Sequence, residues 1–201
     1  MIAYTPPAGF ALHPAALDRA AQEGLTAEVM AAVAQAPWYR NTVRGTPMSV
    51  QNTNLGALGW IADAQGYRYV PAHPRTGRPW PPIPASLLSL WARFADPEQP
   101  PDACLVNLYR DDARLGLHQD RDEAELSAPV LSVSLGDTAL FRLGGTRRGD
   151  PTRSLRLTSG DVCVLAGEAR LAFHGVDRTI PGSSSLVPGG GRINLTLRRA
   201  A

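Results

Sequence analysis

His118 and Asp120 stand two residues apart in the stretch Leu117-His118-Gln119-Asp120-Arg121-Asp122-Glu123. Alternate residues of an extended backbone point the same way. An imidazole and a carboxylate can therefore face one ion while Gln119 turns aside. Two ligands hold a metal poorly, so a third must come from elsewhere. The other histidines are His13, ahead of the first helical stretch, His73, in the turn-like Pro71-Ala72-His73-Pro74, and His174. His174 is the best placed, after the short apolar run Leu171-Ala172-Phe173 and before Gly175. His-x-Asp with a distant His matches the 2-His-1-carboxylate face of non-haem iron(II) oxygenases, which leaves positions open for substrate and dioxygen. A lone His-x-Asp is nevertheless common, and a solvated acidic turn would also account for Asp120, Asp122 and Glu123.

A second pattern lies near the end of the chain. Arg192-Ile193-Asn194-Leu195-Thr196-Leu197-Arg198 alternates strictly, with Arg192, Asn194, Thr196 and Arg198 on one strand face and three aliphatics on the other. On the surface such a strand is ordinary. Inside a barrel the two guanidiniums require anionic partners, and a small dicarboxylate would satisfy both. Asn107 and Tyr109 are likewise two apart in Cys104-Leu105-Val106-Asn107-Leu108-Tyr109 and share a face.

Short segments rich in Val, Leu and Thr and bounded by Gly, Pro or Asp must position these groups. From Cys104 onward the runs CLVNLY, PVLSVSLG, ALFRLGG, SLRLTSG, DVCVLAG and RINLTLR read as strands of a β-sandwich or jelly roll. Before them, Pro14 to Ala36 has apolar residues at helical spacing (Leu17, Ala21, Leu25, Val29, Val33), with Gly24 expected to divide it into two helices and Pro37 to end it. Residues 40–84 are rich in Gly, Pro, Asn and aromatics, the signature of a lid or binding loop. Ala85 to Ala95 returns to a helical period, and 181–191 reads as a flexible loop.

A chain of 201 residues with 44% hydrophobic and 19% charged content fits one soluble globular domain. The net charge of +2 does not mark a nucleic-acid binder, although a local basic surface remains compatible with it. All 20 basic residues are Arg, so every cation is a planar fork suited to carboxylates and phosphates. Cys104 and Cys163, distant and in apolar runs, read as buried free thiols of a reduced cytoplasm. The N-terminus shows no signal-peptide pattern, and no run approaches a membrane span. A cytoplasmic protein without a membrane partner is expected.

From about residue 45 to the end the sequence resembles the AlkB family of iron(II)- and 2-oxoglutarate-dependent dealkylases. The resemblance rests on PMSVQNTN, LGW, QGYRY, TGRPWPPIP, PDACLVNLY, LHQDRDE, APVLSVSLG, GGTRRGDP, the GD…GE…R…HG run and RINLTLR, in order. It implies a mainly β fold with flanking helices (α+β). A double-stranded β-helix (jelly-roll) core would carry N-terminal helices and a nucleotide-recognition lid. One domain would divide into a helical extension (1–39), the lid (40–84), and a helix plus oxygenase core (85–201).

By that resemblance His118, Asp120 and His174 are the Fe(2+) ligands and catalytic centre. Arg192 partners the distal carboxylate of 2-oxoglutarate, Arg198 the carboxylate nearer the metal, and Asn107, Tyr109 and Asn194 complete its hydrogen bonds. Trp60 and Tyr67 border the target base, Asp122 and Glu123 form an acidic rim, Met48 and Ser49 open the lid, and Arg148 lies at the pocket edge. The implied reaction uses dioxygen and 2-oxoglutarate to hydroxylate the N-alkyl group of 1-methyladenine or 3-methylcytosine, which then loses formaldehyde. The implied partner is alkylated single- or double-stranded DNA, and the implied state is a monomer. Leu165 departs from the best-known member, which has Trp near the active centre, and Arg121 has no role by resemblance. Two alternatives stay open: an oxygenase of this family acting on RNA or tRNA, and a non-catalytic jelly-roll binding module.

Overall fold

The computed structural model describes residues 5–201. Residues 1–4, where the segment read for a leader begins, lie outside the described residues. The first half contains β1 (Phe10–His13), α1 (Arg19–Gln35), β2 (Thr42–Val43), β3 (Thr46–Pro47), β4 (Gln51–Gly56), β5 (Gly59–Asp63), β6 (Gly66–Val70) and α2 (Ala85–Phe94). Then come β7 (Ala103–Tyr109), β8 (Leu115–His118), β9 (Val130–Gly136), β10 (Thr138–Leu143), β11 (Arg153–Leu157) and β12 (Val162–Leu165). A 3₁₀ turn at Gly167–Leu171 precedes β13 (His174–Ile180) and β14 (Arg192–Arg198).

Two antiparallel sheets face each other. The larger has the order β1-β12-β9-β14-β7-β4, the smaller β11-β10-β13-β8. The larger sheet buries one face under the helices: Cys104, Val106, Leu108, Leu195 and Leu197 pack with Leu25 and Val29 of α1 and Leu87 and Trp91 of α2. Its other face meets the smaller sheet, where Tyr109, Phe141, Leu157, Leu165 and Val176 form a second core cluster. The pleat thus sends alternate residues of β7 and β14 to opposite cores. The expected jelly roll is present.

Three features differ from the sequence reading. Residues 10–13 form a strand that pairs with β12 in the larger sheet, so the N-terminal segment completes the sheet as well as supplying a helix. Gly24 does not divide α1, which runs unbroken and buries Gln22, Leu25, Thr26, Val29 and Ala32 while Ala21 stays exposed. The Gly costs about 1 kcal/mol relative to Ala. That cost is offset by the packed face and by the Asp18 cap, whose side chain accepts from the Ala21 N–H. The segment 181–191, read as a flexible loop, buries Leu186 and Val187 and is tied through the N–H groups of Gly182 and Ser184 to the Asp137 carboxylate.

Candidate active site

β8 and β13 are neighbours in the smaller sheet, and His118 pairs directly with His174. The ligand-capable atoms of His118, Asp120 and His174 all lie within 4.8 Å of one another. Each imidazole is oriented from behind, His118 Nδ1 against the Gly116 carbonyl at 2.9 Å and His174 Nδ1 against the Ala172 carbonyl at 3.0 Å. Because a carbonyl only accepts, both Nδ1 atoms carry hydrogen, and in a neutral ring so held Nε2 is the nitrogen with the lone pair. Those Nε2 atoms sit 3.6 and 3.7 Å from the Asp120 carboxylate. Asp120 Oδ2 is buried without a hydrogen-bond partner. Two lone pairs and one orphaned carboxylate oxygen converging on one point fit a divalent cation with borderline N/O preference, as iron(II) has.

Electrostatics favour the same state. Burial raises the Asp120 pKa, but Arg198, His174 and His118 together outweigh it and hold the carboxyl below its usual range. Burial, with His118 beside it, pushes His174 down to about 4 against the pull of Asp120. The site therefore offers an anionic carboxylate and a neutral His174 imidazole at neutral pH, the forms a metal needs. Of the other histidines, His73 is buried against the Pro37 carbonyl and accepts from the N–H groups of Arg75 and Thr76. His13 stacks near Phe94. Neither reaches the site.

Two cavities meet at His118 and Asp120, which line both, while His174 lines only the inner one. The inner one lies between the sheets and is lined by Asn107, Tyr109, Leu165, Arg192, Asn194, Thr196 and Arg198 together with the triad. All four polar residues of the alternating strand thus face it. Arg192 is 1% exposed, and its guanidinium touches only neutral acceptors: Ser134 Oγ at 2.8 Å and the Asp137 and Leu157 carbonyls. Its Nε has no partner. A buried cation without an anion is costly, so this cavity is built for an anionic ligand.

Arg198 differs. Its Nη2 lies 2.8 Å from Asp120 Oδ1, its Nε 3.3 Å from Glu123 Oε1, and its Nη1 donates to the Tyr69 hydroxyl. Asn107 accepts from Asn52, which in turn accepts from Asn41. This relay fixes the Asn107 oxygen and leaves its N–H groups for the cavity. Asn194 is more fully engaged, donating to Ser132 and Val133 and accepting from Thr196. Leu165, buried in the inner cavity wall, is smaller than the Trp of the best-known relative by resemblance and leaves the wall aliphatic there.

The outer cavity, about 690 Å³, is lined by Met48, Trp60, Tyr67, His118, Arg121, Asp122, Arg148 and Phe173 among others. Trp60 and Tyr67 come from the β5–β6 hairpin and stack with centroids 5.7 Å apart and planes 15° from parallel. The Trp60 indole N–H donates to Asp122 Oδ2 at 2.9 Å, which ties the hairpin to the metal-bearing segment. Arg148 lies over the Phe173 ring. Ser49 is set apart: its hydroxyl bonds the backbone of Arg114 and it does not line the cavity.

Glu123, expected on the acidic rim, does border the outer cavity but from a buried position. It is 6% exposed, pairs with Arg170 at 3.0 Å and lies beside Arg198. It also accepts from the Tyr69 hydroxyl. Its charge is neutralised inside the protein, although it still borders the outer cavity. Asp122 is exposed and lines the same cavity.

Sequence reasoning missed Tyr69 and Arg170. Arg170, 3% exposed, donates to the carbonyls of Asp120 and Ala128 and to Glu123, and so clamps the turn that carries the metal-ligating carboxylate. Tyr69 was signalled by its spacing of two from Tyr67, which puts both on one face of β6. Arg170 carries no periodicity in its 3₁₀ turn, and its only signal was its place in the GE…R…HG run, which assigned it no role.

A family model described as the 2OG-Fe(II) oxygenase superfamily matches residues 9–198. The chain is 68% identical over 194 residues to the alpha-ketoglutarate-dependent dioxygenase AlkB homolog of Caulobacter vibrioides, covering 96% of this chain and 88% of that protein. It is 44% identical over 185 residues to the alpha-ketoglutarate-dependent dioxygenase AlkB of Escherichia coli, covering 90% of this chain and 85% of that one. The solved structure of OsALKBH1 superposes with a TM-score of 0.77 at 31% identity, over 98% of this chain and 100% of that chain. Among the described residues no helix is long and apolar enough to cross a membrane. With its iron triad, anion-seeking inner cavity and two-sheet core, the chain belongs to the AlkB family of iron(II)- and 2-oxoglutarate-dependent dioxygenases.

Proposed function

We propose that the protein oxidatively demethylates N-alkylated bases such as 1-methyladenine and 3-methylcytosine in DNA, releasing formaldehyde and reversing alkylation damage directly. The observation that carries this is the pair of cavities meeting at His118 and Asp120, the inner holding a buried Arg192 bonded only to neutral oxygens and the outer walled by Trp60, Tyr67 and Asp122. In this reading the chain is one domain working as a cytoplasmic monomer, with residues 40–84 as the lid over the base.

His118, Asp120 and His174 hold iron(II), whose chemistry with 2-oxoglutarate and dioxygen is the hydroxylation of an N-alkyl carbon. Arg192 binds the distal carboxylate of 2-oxoglutarate, each charge-assisted hydrogen bond contributing about 1.5–3 kcal/mol. Tyr109 and the Asn107 amide orient the co-substrate. Arg198, already shared with Asp120 and Glu123, steadies the carboxylate ligand while facing the near end of the co-substrate.

On the outer side Trp60 and Tyr67 supply an aromatic face, and stacking a flipped base on it contributes about 1–3 kcal/mol. Methylation on the pairing edge weakens the base pair and so lowers the cost of flipping. It also makes the base cationic, and Asp122 beside an aromatic face favours the cation over the neutral normal base. Incubation with iron(II), 2-oxoglutarate and a 3-methylcytosine oligodeoxynucleotide tests the reading. Wild type should release formaldehyde, while His118→Ala and Asp120→Ala should not. Absence of both formaldehyde and succinate from wild type sinks the dealkylase reading, and a matched RNA oligomer ranks the two polymers.

A further inference from the structure

The outer face of the smaller sheet carries a cationic strip that the chemistry at the iron site does not use. In β10 the side chains of Phe141 and Leu143 point into the core between the sheets, so Leu140 and Arg142 point outward. Leu140 is flanked by its register partners Arg156 on β11 and Arg178 on β13. Cross-strand partners share a face, so Arg156, Arg142 and Arg178 stand together on this outer surface. Arg156 and Arg178 are exposed. Among the described residues neither has an anionic partner, whereas Arg142 pairs with Asp177.

The strip connects with the active site. β10 runs toward the metal, since Leu143 pairs with His174, and the following connection carries Arg147 and Arg148. Arg148 lines the outer cavity. β11 then runs back from Arg153, which pairs with Leu143, to Arg156. Arg142, Arg156 and Arg178 therefore stand on the strands that lead to the cavity mouth, spread over about 10 Å along the sheet and about 10 Å across it by strand spacing. Asp177 balances Arg142, while Arg156 and Arg178 on either side of Leu140 are left without an ion pair among the described residues. The arrangement suits a polyanion laid across it. Guanidinium forks match phosphate oxygens in geometry as well as charge.

We propose that this outer face is a phosphate-tracking surface for the nucleic acid flanking the target base, with Arg156 and Arg178 as backbone contacts remote from the catalytic centre. The assignment rests on the nucleic-acid reading of the outer cavity. It predicts that long substrates gain affinity from a surface that short ones do not reach.

The test compares wild type with Arg156→Gln/Arg178→Gln and with the charge-retaining Arg156→Lys/Arg178→Lys, on a lesion-bearing trinucleotide and on a lesion-bearing duplex of about two helical turns. Fluorescence anisotropy of the duplex at several salt concentrations gives the slope of log affinity against log salt. Each phosphate contact contributes about 0.9 to that slope on duplex DNA. From 50 to 200 mM salt, wild type should therefore lose about tenfold more duplex affinity than the Gln variant. The Lys variant should keep most of the wild-type slope, and trinucleotide turnover should be the same in all three proteins.

Equal slopes for wild type and the Gln variant would overturn the proposal. So would a parallel loss of trinucleotide turnover in the Gln variant, which would signal a damaged fold. The dealkylase reading fails separately: no formaldehyde from any substrate would sink it, while the slopes would still report on the strip.

Discussion

His118 and His174 are direct cross-strand partners, their rings 4.5 Å apart and inclined at 52°. The pairing is possible because β13 shifts register immediately after His174, at Gly175. A Cβ on Gly175 would lie 2.5 Å from the Leu115 carbonyl oxygen and 2.8 Å from that of Gly116. The Gly116 carbonyl is also the one that orients the His118 ring. Metal geometry and sheet packing thus meet at one glycine.

Gly175→Ala should therefore do two things at once. Crowding β8 should cost about 1–3 kcal/mol, as overpacking in a well-packed core does, visible as a lower urea midpoint. Displacing the Gly116 carbonyl should weaken divalent metal binding, measured by calorimetric titration with manganese(II). Unchanged stability and unchanged affinity would show that the strands part without cost.

Among the described residues no carboxylate forms an ion pair with Arg192, which hydrogen-bonds only neutral oxygens and feels Asp161 at longer range. Arg192→Ala should raise the 2-oxoglutarate KM about 10- to 100-fold, the equivalent of about one charge-assisted hydrogen bond. The turnover at saturating 2-oxoglutarate should fall less, and Arg192→Lys should restore only part of the affinity because a point charge replaces a fork. A KM that does not move would reassign the cavity's anion site.

Arg170 and Glu123 form a buried pair whose removal should be asymmetric. Arg170→Met leaves a buried carboxylate short of one partner and should cost about 3 kcal/mol, the low end for breaking such a pair because Arg198 stays beside Glu123. Arg170→Met/Glu123→Gln should recover part of that loss in chemical denaturation. Equal losses in the single and double variants would mean that Arg170 acts through the Asp120 and Ala128 carbonyls alone.

Asp122 already accepts the Trp60 indole N–H, so Asp122→Asn keeps an acceptor while removing the charge. Turnover of a cationic methylated base should drop by about tenfold, less than the close-range Coulomb term in a partly exposed site would give unscreened. A neutral N-alkylated base should be affected far less. Equal losses on both bases would assign Asp122 to positioning Trp60 rather than to charge selection.

Cys104 and Cys163 are buried, and burial pushes both thiols up to about 12. Neither should react with a thiol reagent at pH 8 until the protein unfolds, since the thiolate is the reactive form. The sign for stability follows. As pH rises through 9, unfolded thiols lose protons that folded ones keep, so their contribution to stability declines. Rapid modification of the native protein would contradict the burial of both.

Strand alternation is a local property, so the sequence alone determined which residues of β7 and β14 face the same way. Asn107 with Tyr109, and Arg192 with Asn194, Thr196 and Arg198, do line one cavity. His-x-Asp was legible for the same reason, whereas Trp60 and Tyr67 were assigned only through the family resemblance.

What lies across from each of these groups was not legible, because strand register and turn packing bring together residues remote in the chain. Only the tertiary structure separates Arg192, which among the described residues bonds neutral oxygens alone, from Arg198, already held by Asp120 and Glu123. Only there does Glu123 turn inward to Arg170 while its neighbour Asp122 stays at the cavity. Two acidic residues adjacent in sequence receive opposite environments because the Arg170 clamp and the Tyr69 hydroxyl reach one of them and not the other.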